Sequence, residues 1–213
     1  MTAVARNHVQ VKGTGDQAMI FAHGFGCDQN MWRFVAPAFE DKFQTVLFDH
    51  VEDLIEIVRE LGLTQTVFVG HSVSAMIGVL AAIKAPDLFK SLILIGPSPR
   101  YIDDENYVGG FSATQIDELL DFLSDNHMGW SAAMAPAIMG NPDRPELGEE
   151  LTNSFCRTDP DIAKDFARVT FTSDNRADLA KLATPALVLQ CSSDIIAPQH
   201  VGEYVHKNLR GSA

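Results

Sequence analysis

A serine between small residues ends a β-branched run in the stretch Thr66-Val67-Phe68-Val69-Gly70-His71-Ser72-Val73-Ser74-Ala75. An apolar helical pattern follows it directly. A strand, a small-x-Ser-x-small turn and a helix are typical of a nucleophile elbow, which lifts the serine hydroxyl out of a sharp turn. The fifth position of the motif is usually glycine, and here it is Ser74. The pattern predicts that Ser72 is a nucleophile; the alternative is an ordinary strand–turn–helix with a buried serine.

Two further elements stand at the carboxyl ends of predicted strands. Asp194 follows a buried strand at residues 185–190, and His23-Gly24-Phe25-Gly26 ends an earlier one. Ligands of open α/β sheets bind beyond these strand ends. Asp194 is therefore a candidate for the acid that orients a base, and the N–H groups of Phe25 and Val73 could hold a developing oxyanion. The alternatives are a turn carboxylate and a plain strand-ending turn.

The general base is harder to place. A serine hydroxyl is a weak nucleophile until an imidazole takes its proton. Where a serine elbow is followed along the chain by the acid, the histidine comes after the acid. The sequence contains no histidine beyond the helix that follows Asp194. We expect each histidine to be structural or solvated, and we keep His50 and His200 as alternatives for the base. The histidines are His8, His23, His50, His71, His127, His200 and His206.

Composition limits the class of protein. The chain has 213 residues, 46% hydrophobic and 21% charged, which favours a globular domain with an inserted subdomain. Its net charge of −12 argues against nucleic acid and anionic membranes as partners. Residues 1–11 show no apolar leader, and three widely spaced cysteines read as free thiols. We expect a cytoplasmic protein without a metal, a cofactor or a membrane segment.

The order of elements predicts the fold class. Continuous apolar strands alternate with helices in the first half, which is typical of a mostly parallel sheet with helices on both faces. Strands are predicted at 18–22, 44–48, 66–70, 91–97 and 185–190, and helices at 52–61, 73–85 and 198–209.

Residues 98–183 have a different pattern. Ser112 and Gln115 form a capping box, and Pro160 stands at a favoured first helical position after Asp159. Helices without an intervening strand indicate an insertion. We predict a core at 1–97 and 184–213, and a four-helix lid at 98–183 with helices at 112–123, 130–139, 145–155 and 160–171.

Several motifs together resemble those of the RsbQ-type α/β-hydrolases, bacterial stress-response regulators related to the plant karrikin and strigolactone receptors. The motifs are Gly24-Phe25-Gly26-Cys27-Asp28-Gln29, Gly70-His71-Ser72-Val73, Ile95-Gly96-Pro97-Ser98-Pro99, Asn141-Pro142-Asp143-Arg144-Pro145-Glu146 and Leu189-Gln190-Cys191-Ser192-Ser193-Asp194-Ile195-Ile196-Ala197-Pro198.

The resemblance implies an α/β-hydrolase fold with a four-helix lid over an apolar pocket, and slow hydrolysis of a small hydrophobic ester or lactone by a Ser–Asp–His triad. Ser72 and Asp194 match the triad positions. Phe25 and Val73 match the oxyanion donors, and Phe25, Trp130 and Phe171 match pocket-lining residues. The resemblance also implies a regulatory protein partner that is a phosphatase.

Two departures from this family concern whole segments. A loop of roughly two dozen residues expected between His50 and Glu52 is missing, although βα connections usually have ~2–6 residues. The family also continues beyond Leu209 through a last strand, the catalytic histidine and a closing helix. An α/β-hydrolase sheet incomplete at the C-terminus should expose an edge. We therefore expect a partner chain, such as a homodimer covering that edge, or a sequence that omits residues.

Two function hypotheses follow. The first is a serine hydrolase acting through Ser72 and Asp194, with a signalling role. The alternative is a small-molecule binding or signalling protein with little or no turnover, because the family's histidine is absent from the sequence. A third, a truncated fragment without function, would be excluded by cooperative unfolding of the chain.

Overall fold

A computed structural model describes residues 1–49 and 53–213 of the chain, and these residues contain one six-stranded sheet. The strand order is β1-β3-β2-β4-β5-β6, and every neighbouring pair is parallel except β1 with β3. The strands are β1 (Gln10–Lys12), β2 (Gln17–Ala22), β3 (Phe43–Leu47), β4 (Thr66–His71), β5 (Phe89–Ile95) and β6 (Ala186–Leu189).

Helices flank the sheet and fill the interval between β5 and β6. In chain order they are α1 (Ala3–Arg6), α2 (Leu54–Glu60), α3 (Val73–Lys84), α4 (Ala113–Asp125), α5 (His127–Met139), α6 (Pro145–Arg157), α7 (Pro160–Thr172), α8 (Arg176–Leu179) and α9 (Gln199–Asn208). Within the described ranges, no helix is both long and apolar enough to cross a membrane.

The predicted mostly parallel sheet flanked by helices is confirmed, with strand and helix positions close to those expected. The capping box is also present, because Ser112 accepts from the N–H of Gln115 and the Gln115 side chain accepts from the N–H of Ser112. Three of the short elements were not predicted. Strand β1 is exposed at all three positions, and α1 and α8 have four residues each, so none of them carries a hydrophobic period.

Both faces of the central strands are buried, which explains why these strands are continuously apolar. On β2, Ile20 packs into the cluster that also contains residues of α2, α3 and α9. Its neighbours Met19 and Phe21 point to the opposite face and pack with Trp32. The sheet is therefore a rigid platform whose strand ends can hold a site.

The helices between β5 and β6 have a hydrophobic cluster of their own. It contains Ile116 and Leu120 of α4, Trp130 of α5, Phe155 of α6 and Phe171 of α7. Phe25, from the loop after β2, packs against the same cluster. This contact joins the helical insertion to the carboxyl end of the sheet.

A charged network ties the two ends of the insertion together. Arg176, which follows α7, pairs with Asp104 at 2.9 Å and with Asp174 at 2.7 Å. Arg100, which follows β5, pairs with Asp174 at 3.1 Å. The hydrogen bond from Arg176 lowers the pKa of both Asp104 and Asp174, so both carboxylates stay charged at neutral pH.

The edge of the sheet beyond β6 is partly occupied. The N–H of Val188 donates to the carbonyl of Ala213 at 2.9 Å, and the N–H of Ala213 donates to the carbonyl of Ala186 at 3.0 Å. Ser212 forms an isolated parallel bridge with Ala186. Residues 212–213 therefore cover the first half of the edge that we expected to be open, while Leu189 remains 44% exposed.

Candidate active site

Ser72 lies on strained backbone between β4 and α3. Its φ of 56° and ψ of −123° place it in a region that a residue with a side chain rarely adopts. Its N–H donates to the carbonyl of Ile95 at 2.8 Å, and its carbonyl accepts from the N–H of Ala75 at 2.9 Å. The side chain makes no capping bond to α3. The hydroxyl is thus not engaged by the helix that follows it.

Small residues make this turn possible. A Cβ atom on Gly70 would lie 2.6 Å from the carbonyl oxygen of Ser74, and one on Gly78 would lie 2.2 Å from the Phe68 ring. The hydroxyl of Ser74 is buried and donates to the carbonyl of His23. Ser74 is therefore accommodated at the usual glycine position, because its hydroxyl finds an acceptor in the loop after β2.

Two N–H groups near Ser72 have no acceptor among residues 1–49 and 53–213. Val73 is the first residue of α3, where an N–H has no intrahelical partner. Phe25 lies in the loop that contacts the elbow, since a Cβ on the preceding Gly24 would be 3.3 Å from the Cβ of Ser72. Free N–H groups beside a serine, one at a helix N-terminus, suit a developing negative charge.

Asp194 follows β6 and lies beside the same strand end. Its Oδ1 accepts from the N–H of Ile196 at 2.8 Å and from the N–H of Ala197 at 2.9 Å. Its Oδ2 would lie 3.5 Å from a Cβ on Gly96, the residue after the Ile95 carbonyl that holds Ser72. One carboxylate oxygen is thus fixed by backbone donors, and the other points toward the β5 end.

Tyr101 joins this group, although the sequence analysis did not single it out. It is 2% exposed and its ring packs edge-on against Phe171, with centroids 5.1 Å apart. Burial raises the pKa of its phenol to about 12, and a hydrogen bond with the Ser72 side chain acts in the opposite direction. The phenol stays protonated at neutral pH, so it can hold the serine hydroxyl but cannot be its base. No local pattern marks Tyr101, because only the path of the chain after β5 brings it to Ser72.

The histidines are engaged elsewhere. In the described ranges, none hydrogen-bonds to Ser72 or Asp194; His200 Nε2, for example, contacts the carbonyl of Val108 at 3.2 Å. Burial lowers the pKa of His71 to about 4, and its Nδ1 has no partner. The other candidate base, His50, lies outside the described residues.

The three aromatic residues assigned to the pocket come together. The centroid of the Phe25 ring is 6.0 Å from that of Trp130 and 6.3 Å from that of Phe171. Phe155 of α6 packs 5.3 Å from Trp130 in the same group. The indole N–H of Trp130 is buried without an acceptor. An unpaired donor in an apolar group is costly, which marks this position as one where an acceptor could bind.

Helix α6 fastens the loop that carries Phe25. The Ser154 hydroxyl donates to the carbonyl of Gly26 at 2.8 Å, and Arg157 pairs with Asp28 at 3.3 Å. Gly26 has a φ of 66°, and a Cβ there would lie 2.3 Å from the Phe155 ring. Only glycine fits both the left-handed backbone and the close ring, so this contact explains the second glycine of Gly24-Phe25-Gly26.

Other nucleophiles and metal sites are not supported nearby. Burial raises the pKa of the Cys27 thiol to about 12, so this neighbour of the loop stays protonated at neutral pH. Across the described part of the chain, no group of three or more His, Cys, Asp or Glu side chains could hold a metal ion.

Comparisons with known proteins agree with this arrangement. A sequence model described as the alpha/beta hydrolase family matches residues 19–212. A strigolactone esterase of Arabidopsis thaliana is 37% identical, covering 96% of this chain and 84% of that protein. A karrikin insensitive 2 receptor of Petunia hybrida is 33% identical, covering 97% of this chain and 85% of the receptor.

Among solved structures, a hydrolase from Oleispira antarctica superposes with a TM-score of 0.95 at 37% identity, covering 99% of this chain and 85% of that one. An enol-lactonase from Burkholderia xenovorans shares the fold with a TM-score of 0.83 at 16% identity, covering 96% of this chain and 85% of that one.

Proposed function

Because the chain belongs to the alpha/beta hydrolase family, we propose that it is a serine hydrolase of small apolar esters or lactones, with Ser72 as the nucleophile and Asp194 as the orienting acid. The observation that carries the proposal is the strained backbone of Ser72, whose side chain makes no capping bond and stands beside two free N–H groups. Evolution retains such strain where it serves function.

The proposed reaction begins with attack of the Ser72 hydroxyl on the substrate carbonyl. The N–H groups of Phe25 and Val73 hold the negative oxygen of the tetrahedral intermediate, and the alcohol then leaves an acyl-serine that water hydrolyses. The phenol of Tyr101 lies near the Ser72 side chain and would limit the rotation of its hydroxyl. The proton of the Ser72 hydroxyl passes to water, because no described histidine bonds to Ser72 or Asp194, and the leaving alkoxide takes a proton from water. Without an imidazole between Asp194 and Ser72 this step is slow.

We propose that Phe25, Trp130 and Phe171 form one wall of the substrate site. Their rings pack together next to the loop that carries the Phe25 N–H, and the unpaired indole N–H of Trp130 offers one hydrogen bond to a substrate oxygen. An apolar wall with one donor suits an uncharged ester or lactone. The helices α4–α7 would then act as a lid.

The experiment is hydrolysis of p-nitrophenyl butyrate by the full chain and by Ser72→Ala. We expect turnover that falls at least about 1,000-fold in the variant, because removal of the nucleophile leaves only binding and oxyanion contributions. Equal turnover by the two proteins would overturn the proposal.

A second candidate function is small-molecule binding that a partner protein reads, with little turnover. It is favoured by the absence of any described histidine bonded to Ser72 or Asp194, and by the relatives named as receptors. With either function we propose an RsbQ-type protein that acts in the cytoplasm in a stress response, with a phosphatase-like partner and a homodimer that covers the β6 edge. Binding of an ester without release of its alcohol would favour it over hydrolysis.

A further inference from the structure

The outer face of α5 is apolar and uncovered within the described part of the chain. Helix α5 contains no Asp, Glu, Lys or Arg, whereas its neighbours α4 and α6 each contain several charged residues. A helix that is apolar all round is usually buried on every side. Trp130 and Ala135 are buried in the aromatic cluster of the insertion. On the other face, Ala132, Ala133 and Ala137 are exposed, so this face lacks the partner that the composition of the helix implies.

The exposed face of α5 forms one wall of a groove between α5 and α6, with a volume of about 1010 Å³. We call it the α5–α6 groove. The two helices approach closely at its floor, since a Cβ on Gly148 would lie 3.2 Å from the Cα of Pro136. Thr152 and Asn153 of α6 stand on the facing wall. Small residues along the α5 wall let another backbone come near, which suits a third helix that lies lengthwise in the groove.

A backbone acceptor in this groove lacks its usual donor. Pro136 lies inside α5 and has no N–H, so the carbonyl of Ala132 receives no hydrogen bond from the residue four positions along the helix. Ala132 lines the groove. A backbone carbonyl without a protein donor favours an occupant that brings one. The α5–α6 groove therefore offers apolar contact together with an acceptor for an N–H group, such as that of a lysine or arginine side chain.

The charge around the groove determines which occupant is favoured. Residues 112–153 contain eight acidic residues, and their only lysine or arginine is Arg144, which pairs with Glu146 at 3.1 Å. Glu149 lines the groove and pairs with no cation among the described residues. A second copy of the chain would bring the same carboxylates against these, and an anionic membrane would also be repelled. A segment rich in lysine or arginine would be attracted.

We propose that the α5–α6 groove binds a basic amphipathic helix of a partner protein. Its apolar face would contact the alanines of α5, and its lysines or arginines would face Glu149 and the surrounding carboxylates. The groove lies on the side of α5 away from the aromatic cluster. The inference therefore goes beyond hydrolysis by Ser72, and it does not depend on whether the partner is a phosphatase.

The test measures binding of fluorescent synthetic peptides to the full chain by fluorescence anisotropy at physiological ionic strength. The first peptide has about 18 residues, with leucine on one helical face and lysine on the other. The second has the same composition in a scrambled order without an apolar face, and the third has glutamate in place of lysine. We expect the scrambled peptide to bind at least about tenfold more weakly than the first, and the glutamate peptide not to bind.

Variants of the chain locate the bound peptide. Ala133→Arg places a long, positively charged side chain in the groove and should weaken binding of the first peptide at least about tenfold. Ala38→Arg is the matched control, because Ala38 is exposed and does not line the groove, and we expect a change of less than twofold. Glu149→Gln should weaken binding about threefold. Glu105→Gln removes the same charge from an exposed residue outside the groove and should have a smaller effect.

The proposal is overturned if the first peptide does not bind, if the scrambled peptide binds equally well, or if Ala133→Arg and Ala38→Arg have the same effect. Sedimentation velocity tests the other occupant. If the chain forms a dimer that Ala133→Arg dissociates, a second copy occupies the groove and the basic partner is wrong. None of these measurements uses turnover, so the peptide result and the hydrolase proposal stand or fail separately.

Discussion

The strand ends around Ser72 and the helical insertion at residues 98–183 are stabilised in different ways. At the strand ends, strained backbone is held by hydrogen bonds from β5 and by glycines that admit no Cβ. In the insertion, α4–α7 pack around one aromatic cluster and leave apolar residues exposed, such as Ile162 and Val169 on α7. The nucleophile is therefore fixed by local geometry, whereas access to it depends on packing between distant helices.

The two regions meet at few points, and those points should control activity. Ser154 and Phe155 of α6 contact Gly26, and Tyr101 lies between Phe171 and Ser72. Changes at these contacts should affect stability, the reaction or both. Each prediction below names the quantity that should change.

The largest effect is expected for Gly26→Ala, which adds a Cβ 2.3 Å from the Phe155 ring at a φ of 66°. Strain and overpacking together should lower the free energy of unfolding by about 3 kcal/mol. The matched control is Gly140→Ala, at a φ of 59° with nothing within 4 Å of the added Cβ. Gly140→Ala adds backbone strain without overpacking, so its free energy of unfolding should fall by only about 1 kcal/mol. Urea denaturation would measure both, and equal losses would contradict the role of the Phe155 contact.

The next effect concerns His71 in the elbow. Its pKa is lowered to about 4 by burial, so the folded protein keeps it neutral where the unfolded chain, with a pKa near 6.5, takes up a proton. The stability that neutral His71 contributes is fully present above pH 6.5 and is lost as the pH falls toward 4. Between pH 8 and pH 5 this lowers the free energy of unfolding by about 2 kcal/mol. Measured by urea denaturation, the original protein should therefore lose about 2 kcal/mol more over this pH range than His71→Gln. Identical pH profiles would rule out a buried neutral imidazole.

A smaller effect is expected at the link between α6 and the oxyanion loop. Ser154→Ala removes the hydroxyl that donates to the Gly26 carbonyl at 2.8 Å, which should loosen the Phe25 N–H. We expect kcat to fall about tenfold with little change in KM, because the donor acts mainly on the transition state. Thr152→Ala is the control, since its hydroxyl donates within α6 to Gly148. An equal fall in both variants would indicate a general effect on the helix.

The smallest effect is expected at Thr170. Thr170→Val removes an unpaired buried hydroxyl and should raise the free energy of unfolding by up to about 1 kcal/mol. Thr172→Val removes a hydroxyl that already has an acceptor and is exposed, so no gain is expected. Urea denaturation would measure both variants. An equal change in the two, or a loss of stability in Thr170→Val, would contradict the cost of the unpaired hydroxyl.

The comparison also explains what the sequence could predict. The elbow was visible because a buried strand, a small residue on each side of Ser72 and an apolar helix lie within one short stretch. Asp194 and the Gly24-Phe25-Gly26 loop were visible for a related reason, since each lies in the loop after a strand. Parallel strands end at the same edge of a sheet, and the order of elements therefore brings these residues together.

The remaining features depend on contacts between distant residues. Tyr101 is part of no local motif, and Ser154 lies 128 residues from its acceptor Gly26. Strand β1 was missed for another reason: its three exposed residues follow the edge of β3 without an apolar face of their own.

The most direct test of the account is reaction of the full chain with a fluorophosphonate, followed by intact-mass spectrometry and peptide mapping. Fluorophosphonates react with activated serines and not with ordinary hydroxyls. The account predicts one adduct per chain, located on Ser72 and absent from the Ser72→Ala protein. An adduct on another residue, or an unmodified Ser72 in the folded chain, would contradict it.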